Sequence, residues 1–264
     1  MAAPVNPDAE AGTVNESELA SRLAGVRDGL NRACAAAGRD PASVRLVAVS
    51  KIQPAAAVAA ALRLGQLDFG ENYAQELRDK SALLQADSAR LRWHFIGPLQ
   101  RNKVPLVVGR AALIHSVDSV ALLEALAARV LRLREKEGQA ALVQPCLIEV
   151  SLAGESQKAG CDPHELPALL DAIAGLGGAV RCLGLMCMPP LSDDAEASRP
   201  HFRRLRELLG ELGQRARPHV DLRELSMGMS HDYAVAIAEG ATLVRVGTAI
   251  FGARPSRPAS QPAG

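Results

Sequence analysis

Lysine follows an apolar run directly in the segment AVSKIQP, at Lys51, just ahead of the change of direction marked by Pro54. Two readings are open for such a residue. It can be a solvated strand-end cation, which is the ordinary fate of lysine. It can also be an amine at the mouth of a pocket, where partial desolvation lowers its proton affinity and lets it attack an aldehyde. Lys80, Lys103, Lys136 and Lys158 do not follow a comparable run.

A second chemistry sits near the other end of the chain. The segments S226-M-G-M-S230 and R245-V-G-T248 combine small residues with hydroxyls. Glycine lets backbone N–H groups approach an oxyanion closely, Ser226 and Thr248 add donors, and helices opening after the loops add favourable dipoles. One glycine segment equally serves a tight turn; two, after neighbouring strands, make an anion site on paper. Arg245 stands inside T242-L-V-R-V-G247, where a dry core makes a charge costly, so it either ends the strand or meets a ligand. His94 has the chemistry of a general base, but no acidic partner is identifiable, and a core histidine fits equally well. The histidines and acids show no metal spacing, and neither a Walker-type loop nor a nucleophile elbow occurs. Asp193, Asp194 and Glu196 read as a solvated loop, and Met227 and Met229 as packing around the site.

These groups need a frame that gathers them. The apolar pattern predicts strands at 44–49, 67–70, 93–96, 113–115, 141–150, 180–186, 219–225 and 241–246. Asn15 with Glu18 caps a helix running to about residue 37, and Gly138 closes another across the polar 135–139 stretch. Further helices are expected at 54–64, 74–84, after Pro98, at 120–134, from near Pro163, at 202–212 and at 233–239. Strands alternating with helices in this number are the arithmetic of an α/β fold, the (β/α)8 TIM barrel, here with an additional N-terminal helix. A doubly wound sheet is the rival. In a barrel, ligands meet the rim where strands run into helices. The junctions read S50-K51, G70-E-N-Y73, H94 to N102, H115-S116, E149-V-S151 with the loop to Lys158, L185-M186, S226 to S230 and R245 to T248. Polar and glycine residues therefore recur at one rim, as a ligand site requires.

The 264 residues include 30 basic and 29 acidic side chains, a net charge of +1, which suggests neither nucleic acid nor a membrane surface as partner. The opening MAAPVNPDAEAG lacks the pattern of a signal peptide, and no stretch reaches membrane-spanning length. Five scattered cysteines read as reduced cytoplasmic thiols. Residues 1–14 and 253–264 read as flexible tails, and 15–252 as one barrel domain.

The series AVSKIQP, FGENYAQE, WHFIGPLQRNK, KAG, GLMCM, LSMGMSHD and VRVGTAIFG, in order over residues 43–252, closely resembles the pyridoxal phosphate homeostasis proteins, also called the proline synthase co-transcribed family. The resemblance implies the barrel domain of alanine racemase and the fold-type III group that binds pyridoxal 5'-phosphate (PLP). It implies Lys51 as the residue of the internal aldimine. Ser226, Gly247 and Thr248 match phosphate positions, with Met229 and Ser230 beside them, and Arg245 matches the residue facing the pyridine nitrogen. Asn72, His94 and Met186 lie in motifs that approach the ring or line its pocket.

A guanidinium holds its protons, so it serves the ring poorly as an acid, and racemisation-like chemistry is the least excluded. Fold-type III enzymes add a second, β-rich domain carrying a tyrosine; Tyr73 and Tyr233 both belong to the barrel portion. The family therefore implies a non-catalytic monomer that reversibly holds PLP and takes part in intracellular vitamin B6 and amino/keto acid homeostasis, with transient contact to PLP-dependent apo-enzymes. The alternatives are a minimal PLP enzyme, such as a weak racemase using His94 or Tyr73, and a barrel for another phosphate ester. Gln53 stands where the family commonly has lysine, Ser151 where it often has asparagine, and Arg101 where it has a small or polar residue.

Overall fold

The computed structural model describes residues 15–136, 138–152 and 159–252. The tails 1–14 and 253–264, Glu137 and Lys158 lie outside these residues. Among the described residues, eight parallel strands close into a barrel in chain order. They are β1 (Arg45–Val49), β2 (Asp68–Glu71), β3 (Arg92–Phe95), β4 (Ala111–Val117), β5 (Gln144–Glu149), β6 (Val180–Met186), β7 (Val220–Ser226) and β8 (Leu243–Val246). The helices are α1 (Glu16–Ala36), α2 (Ala55–Arg63), α3 (Ala74–Leu83), α4 (Val104–Val107), α5 (Val120–Lys136), α6 (Leu166–Ala174), α7 (Arg199–Gly213), α8 (Tyr233–Ala238) and α9 (Thr248–Phe251).

The expected barrel is therefore present, and α1 is the additional N-terminal helix. Asn15 caps it by accepting the Glu18 N–H at 3.2 Å. Leu19, Leu23, Val26, Leu30 and Cys34 repeat at helical spacing along its buried face, which packs on α8, α9 and α2.

The strand period of two sorts side chains between two cores. Ala48, Phe69, Trp93, Ile114, Cys146 and Val244 face outward, into the layer shared with the helices. Val47, Leu113, Leu147, Met186 and Leu243 form a separate apolar cluster inside the barrel. Closure depends on β1 meeting β8 from Arg45↔Leu243 to Ala48↔Val246. This seam sets the ends of the first and last strands side by side.

Several bounds differ from the expected ones. Strand β5 starts at Gln144 rather than residue 141, because the Leu142 N–H turns back to the Gln139 carbonyl and the Leu142 carbonyl accepts from Arg134. Helix α7 begins at Arg199, three residues early, since Pro200 is tolerated in a first turn that needs no N–H partner. The helix expected without bounds after the 245–248 loop is the single turn α9, whose four residues carry too little periodicity to delimit from sequence. The acidic loop is solvated as expected, with Asp193, Asp194 and Glu196 exposed; in addition Asp194 caps the turn Ala195–Ser198 and Glu196 pairs with Arg199. No helix among the described residues is long and apolar enough to cross a membrane.

Candidate functional site

A pocket opens at the carboxyl ends of the strands, across the β1–β8 seam. Lys51, Asn72 and Gln53 line it from the first strands, and Arg245, Gly247 and Thr248 from the last. Met229 and Ser230 of the loop after β7 complete the polar side, and Ile96 and Met188 are among its apolar walls. The backbone N–H groups of Ser230, Thr248 and Ala249 donate to no acceptor among the described residues. With the hydroxyls of Ser230 and Thr248 they make a cluster of donors suited to an anion.

Glycine gives the room beside them, and at position 228 it is required. A Cβ on Gly247 would come within 3.2 Å of the Val49 carbonyl. Gly228 adopts φ 91°, and a Cβ there would meet that of Ala236 at 2.6 Å. The loop is pinned from beneath by Asp232, which is 1 % exposed. Its carboxylate accepts the Met229 N–H at 2.6 Å and the Ser198 hydroxyl at 2.9 Å.

Lys51 sits second in a tight turn that ends β1. The Gln53 N–H donates to the Ser50 carbonyl at 3.0 Å, closing the turn, and Ile52 holds φ 64°. A β-branched residue in that region costs about 1–3 kcal/mol. Close by, the Asn72 side-chain oxygen is buried without a partner among the described residues. Its amide can present either an acceptor or a donor to a ligand.

Below the pocket floor the barrel interior is polar along one side. Arg245 donates to Ser226 Oγ at 2.5 Å and to the Cys187 carbonyl at 3.0 Å. Ser226 Oγ lies 2.8 Å from His115 Nδ1, His115 Nε2 lies 2.9 Å from His94 Nδ1, and His94 Nε2 lies 2.9 Å from Asp68. Arg92 closes the far end with two bonds to Asp68, at 2.8 and 2.6 Å. The two ends set the direction of every bond. Arginine only donates and a carboxylate only accepts. Ser226 must therefore give its proton to His115 Nδ1, and both histidines carry theirs on Nε2. Burial pushes His94 and His115 below the usual histidine range, so both are neutral in this chain. Burial alone would raise Asp68, but the hydrogen bonds from Arg92 and His94 outweigh it and hold the carboxyl well below its usual range.

Glu149 on β5 also faces the interior and is 4 % exposed. Burial pushes its carboxyl up to about 7, against the pull of Arg245. A raised acid binds its proton first in the folded state, so this group's contribution to stability falls as pH rises from about 4.5 toward 7. Glu149→Gln removes that slope. In urea titrations from pH 5 to 8, the variant should gain roughly 1–3 kcal/mol on the parent. Parallel stability profiles would refute the assignment.

The structure gathers Lys51, Asn72, Met229, Ser230, Arg245, Gly247 and Thr248 on one pocket. His94, Met186 and Ser226 lie beneath it, at 2 %, 0 % and 0 % exposure. His94 does have an acidic partner, Asp68, and the hydroxyl proton of Ser226 is spent inward on His115. Gln53 reaches the pocket, whereas Ser151 and Arg101 do not line it. Sequence reasoning placed His115 at a strand-end junction without giving it a role, and missed Asp68, Asp232 and a cluster around Lys80. Lys80 was one lysine among several on a helix; it is 6 % exposed and contacts Ser50, Glu71 and Glu76. The signal available was a lysine one helical turn after Glu76, on an otherwise alternating surface.

Comparison with known proteins bears on the family and the fold. Residues 24–255 match the family model described as alanine racemase, N-terminal domain. A protein named pyridoxal phosphate homeostasis protein from Pseudomonas aeruginosa is 44 % identical over 238 residues, 90 % of this chain and 96 % of that one. Among solved structures, an unknown protein from Bifidobacterium adolescentis superposes with a TM-score of 0.82 at 33 % identity, over 95 % of this chain and 99 % of that one. PipY from Synechococcus elongatus, solved with PLP bound, gives a TM-score of 0.74 at 40 % identity, over 89 % of this chain and 100 % of that one.

Proposed function

The chain belongs to the pyridoxal phosphate homeostasis protein family, and from that premise we propose that it binds PLP and holds it reversibly through the amine of Lys51. One observation carries the reading: a lysine meets Ser230 and Thr248, whose N–H groups have no acceptor among the described residues, in a single pocket across the barrel seam. When bound, PLP supplies an aldehyde that condenses reversibly with amines and a ring that withdraws electrons. Ser230, Thr248 and the free N–H groups would hold the phosphate. Asn72 would orient the ring's polar edge, and Arg245 would face the ring nitrogen.

The chain below the floor supports holding rather than turnover. Ser226 and the Cys187 carbonyl fix the Arg245 guanidinium as a donor. Such a group yields no proton to the ring nitrogen, so the electron sink stays weak. Both ring nitrogens of His94 are engaged within the barrel, and Tyr73 is 51 % exposed and outside the pocket lining. Neither is placed to exchange a proton with a substrate in the pocket. We read residues 15–252 as one barrel unit, acting as a monomer that takes up PLP and yields it to amines or apo-enzymes. Reversible holding of this kind buffers vitamin B6 and, through it, amino and keto acids. The cysteines among the described residues are free and buried, in keeping with the reducing cytoplasm.

The test is an absorption spectrum of the purified protein with PLP, before and after borohydride, followed by peptide mass mapping. The expected outcome is a visible band that borohydride bleaches, with the added mass on Lys51. No reducible PLP, or label mainly on another lysine, refutes the proposal. Deuterium exchange at the α-carbon across a set of amino acids should stay at the level of free PLP. Turnover that vanishes on changing His94 or Tyr73, with PLP binding intact, would establish the enzyme instead.

A further inference from the structure

The turn that carries Lys51 is gripped from behind by α3. Its third residue occupies the positive-φ position that a type II turn reserves for glycine, yet the residue is Ile52. Two side chains of α3, one helical turn apart, reach this turn. Glu76 Oε2 accepts the Ile52 N–H at 2.8 Å. Lys80 Nζ donates to the Ser50 carbonyl at 2.7 Å. The two are bonded to each other at 2.9 Å. Lys80 also reaches Glu71 Oε1 at 2.8 Å, and the same oxygen accepts the Ser50 hydroxyl at 2.6 Å. Glu71 is fully buried and its other oxygen has no partner among the described residues, so the Glu71–Lys80 end of the network works out of water, while the Glu76 side chain stays 30 % exposed.

We propose that Glu76 and Lys80 are positioning residues for Lys51. By holding the turn at its first carbonyl and its third N–H, they keep an unfavourable backbone conformation that aims the Lys51 amine into the pocket. The proposal rests on the reading of Lys51 as the cofactor lysine, but the grip itself exists in the unloaded protein. The competing reading is that the cluster merely fastens α3 to β2. The two differ in one consequence. Glycine adopts positive φ freely, so a glycine at position 52 should make the grip dispensable. Fastening a helix would be indifferent to that change.

The experiment compares the parent, Glu76→Ala, Ile52→Gly and the double variant. Two quantities are read: amide exchange of residue 52 without PLP, and the rate at which added PLP becomes reducible on Lys51. In Glu76→Ala the amide should exchange, and uptake should slow, by about tenfold each, while uptake by the double variant returns to within about threefold of Ile52→Gly. Unchanged exchange and uptake in Glu76→Ala overturn the proposal, as does a slow uptake that Ile52→Gly fails to rescue. If Glu76→Ala does not fold, Glu76→Gln enters the same cycle, with uptake expected to slow about threefold and the same rescue required. Should the parent itself take up no PLP on Lys51, the functional reading fails, and the amide exchange still decides whether the grip exists.

Discussion

A Lys51→Ala variant should fold normally and lose the borohydride-fixed label completely. Lys51 is half-buried and belongs to neither apolar cluster, so truncation should cost no more than about 1 kcal/mol. Retention of PLP should nevertheless drop by about 100-fold, because only the phosphate and ring contacts remain. Pyridoxine 5'-phosphate separates the two contributions, since it offers the same phosphate without an aldehyde. The parent and Lys51→Ala should bind it within about threefold of each other. Equal retention of PLP itself by both proteins would show that the lysine is one more solvated cation.

The second large effect belongs to the interior chain. Asp68→Ala should destabilise the fold by roughly 3–5 kcal/mol, because it strands His94 Nε2–H in the barrel and frees Arg92 from its only carboxylate within the described residues. For a domain of this size that corresponds to a melting temperature lower by roughly 6–20 °C. Asp68→Asn, which keeps an acceptor for His94, should lose less. The effect also has a pH signature. Asp68 has a depressed folded-state pKa, so its contribution is present above its unfolded value of 3.8 and fades as pH falls below it. The gap between parent and Asp68→Ala should accordingly narrow in acid. A gap that is small at pH 7, or that stays constant down to acid, would show that the chain does not hold the barrel interior together.

Much of this frame can be read locally. Strand β6 was expected at the residues where it lies, and the polar rim of the barrel followed from strand ends alone. Lys51 and the Gly247–Thr248 pair were recognisable because each follows closely on an apolar strand with residue types that strand packing does not call for. The interior chain was not readable. His94 and Asp68 meet because β2 and β3 pair with Asp68 opposite Arg92, and that register is set by barrel closure, not by either strand's own pattern. Ile52 hid for the opposite reason. Its type argues for a strand, and only the side chains of α3, distant in sequence, make a left-handed turn tolerable there. Lys80 likewise looks like an ordinary helical lysine until α3 is laid against β2.

The seam between β1 and β8 has a bearing on how the molecule is made. Strand β8 pairs with β1 at four positions but with β7 only at Ser226↔Leu243. A chain emerging from the ribosome therefore displays Lys51 first, while the donors around Thr248 arrive only once β8 has been made. On the proposed reading the amine would until then have no phosphate anchor, and the growing chain would hold the ligand only weakly. A ligand that touches both sides of the seam would bind only the finished barrel. It would act as a clasp on the joint between the oldest and the newest strand, adding its binding energy to closure by mass action.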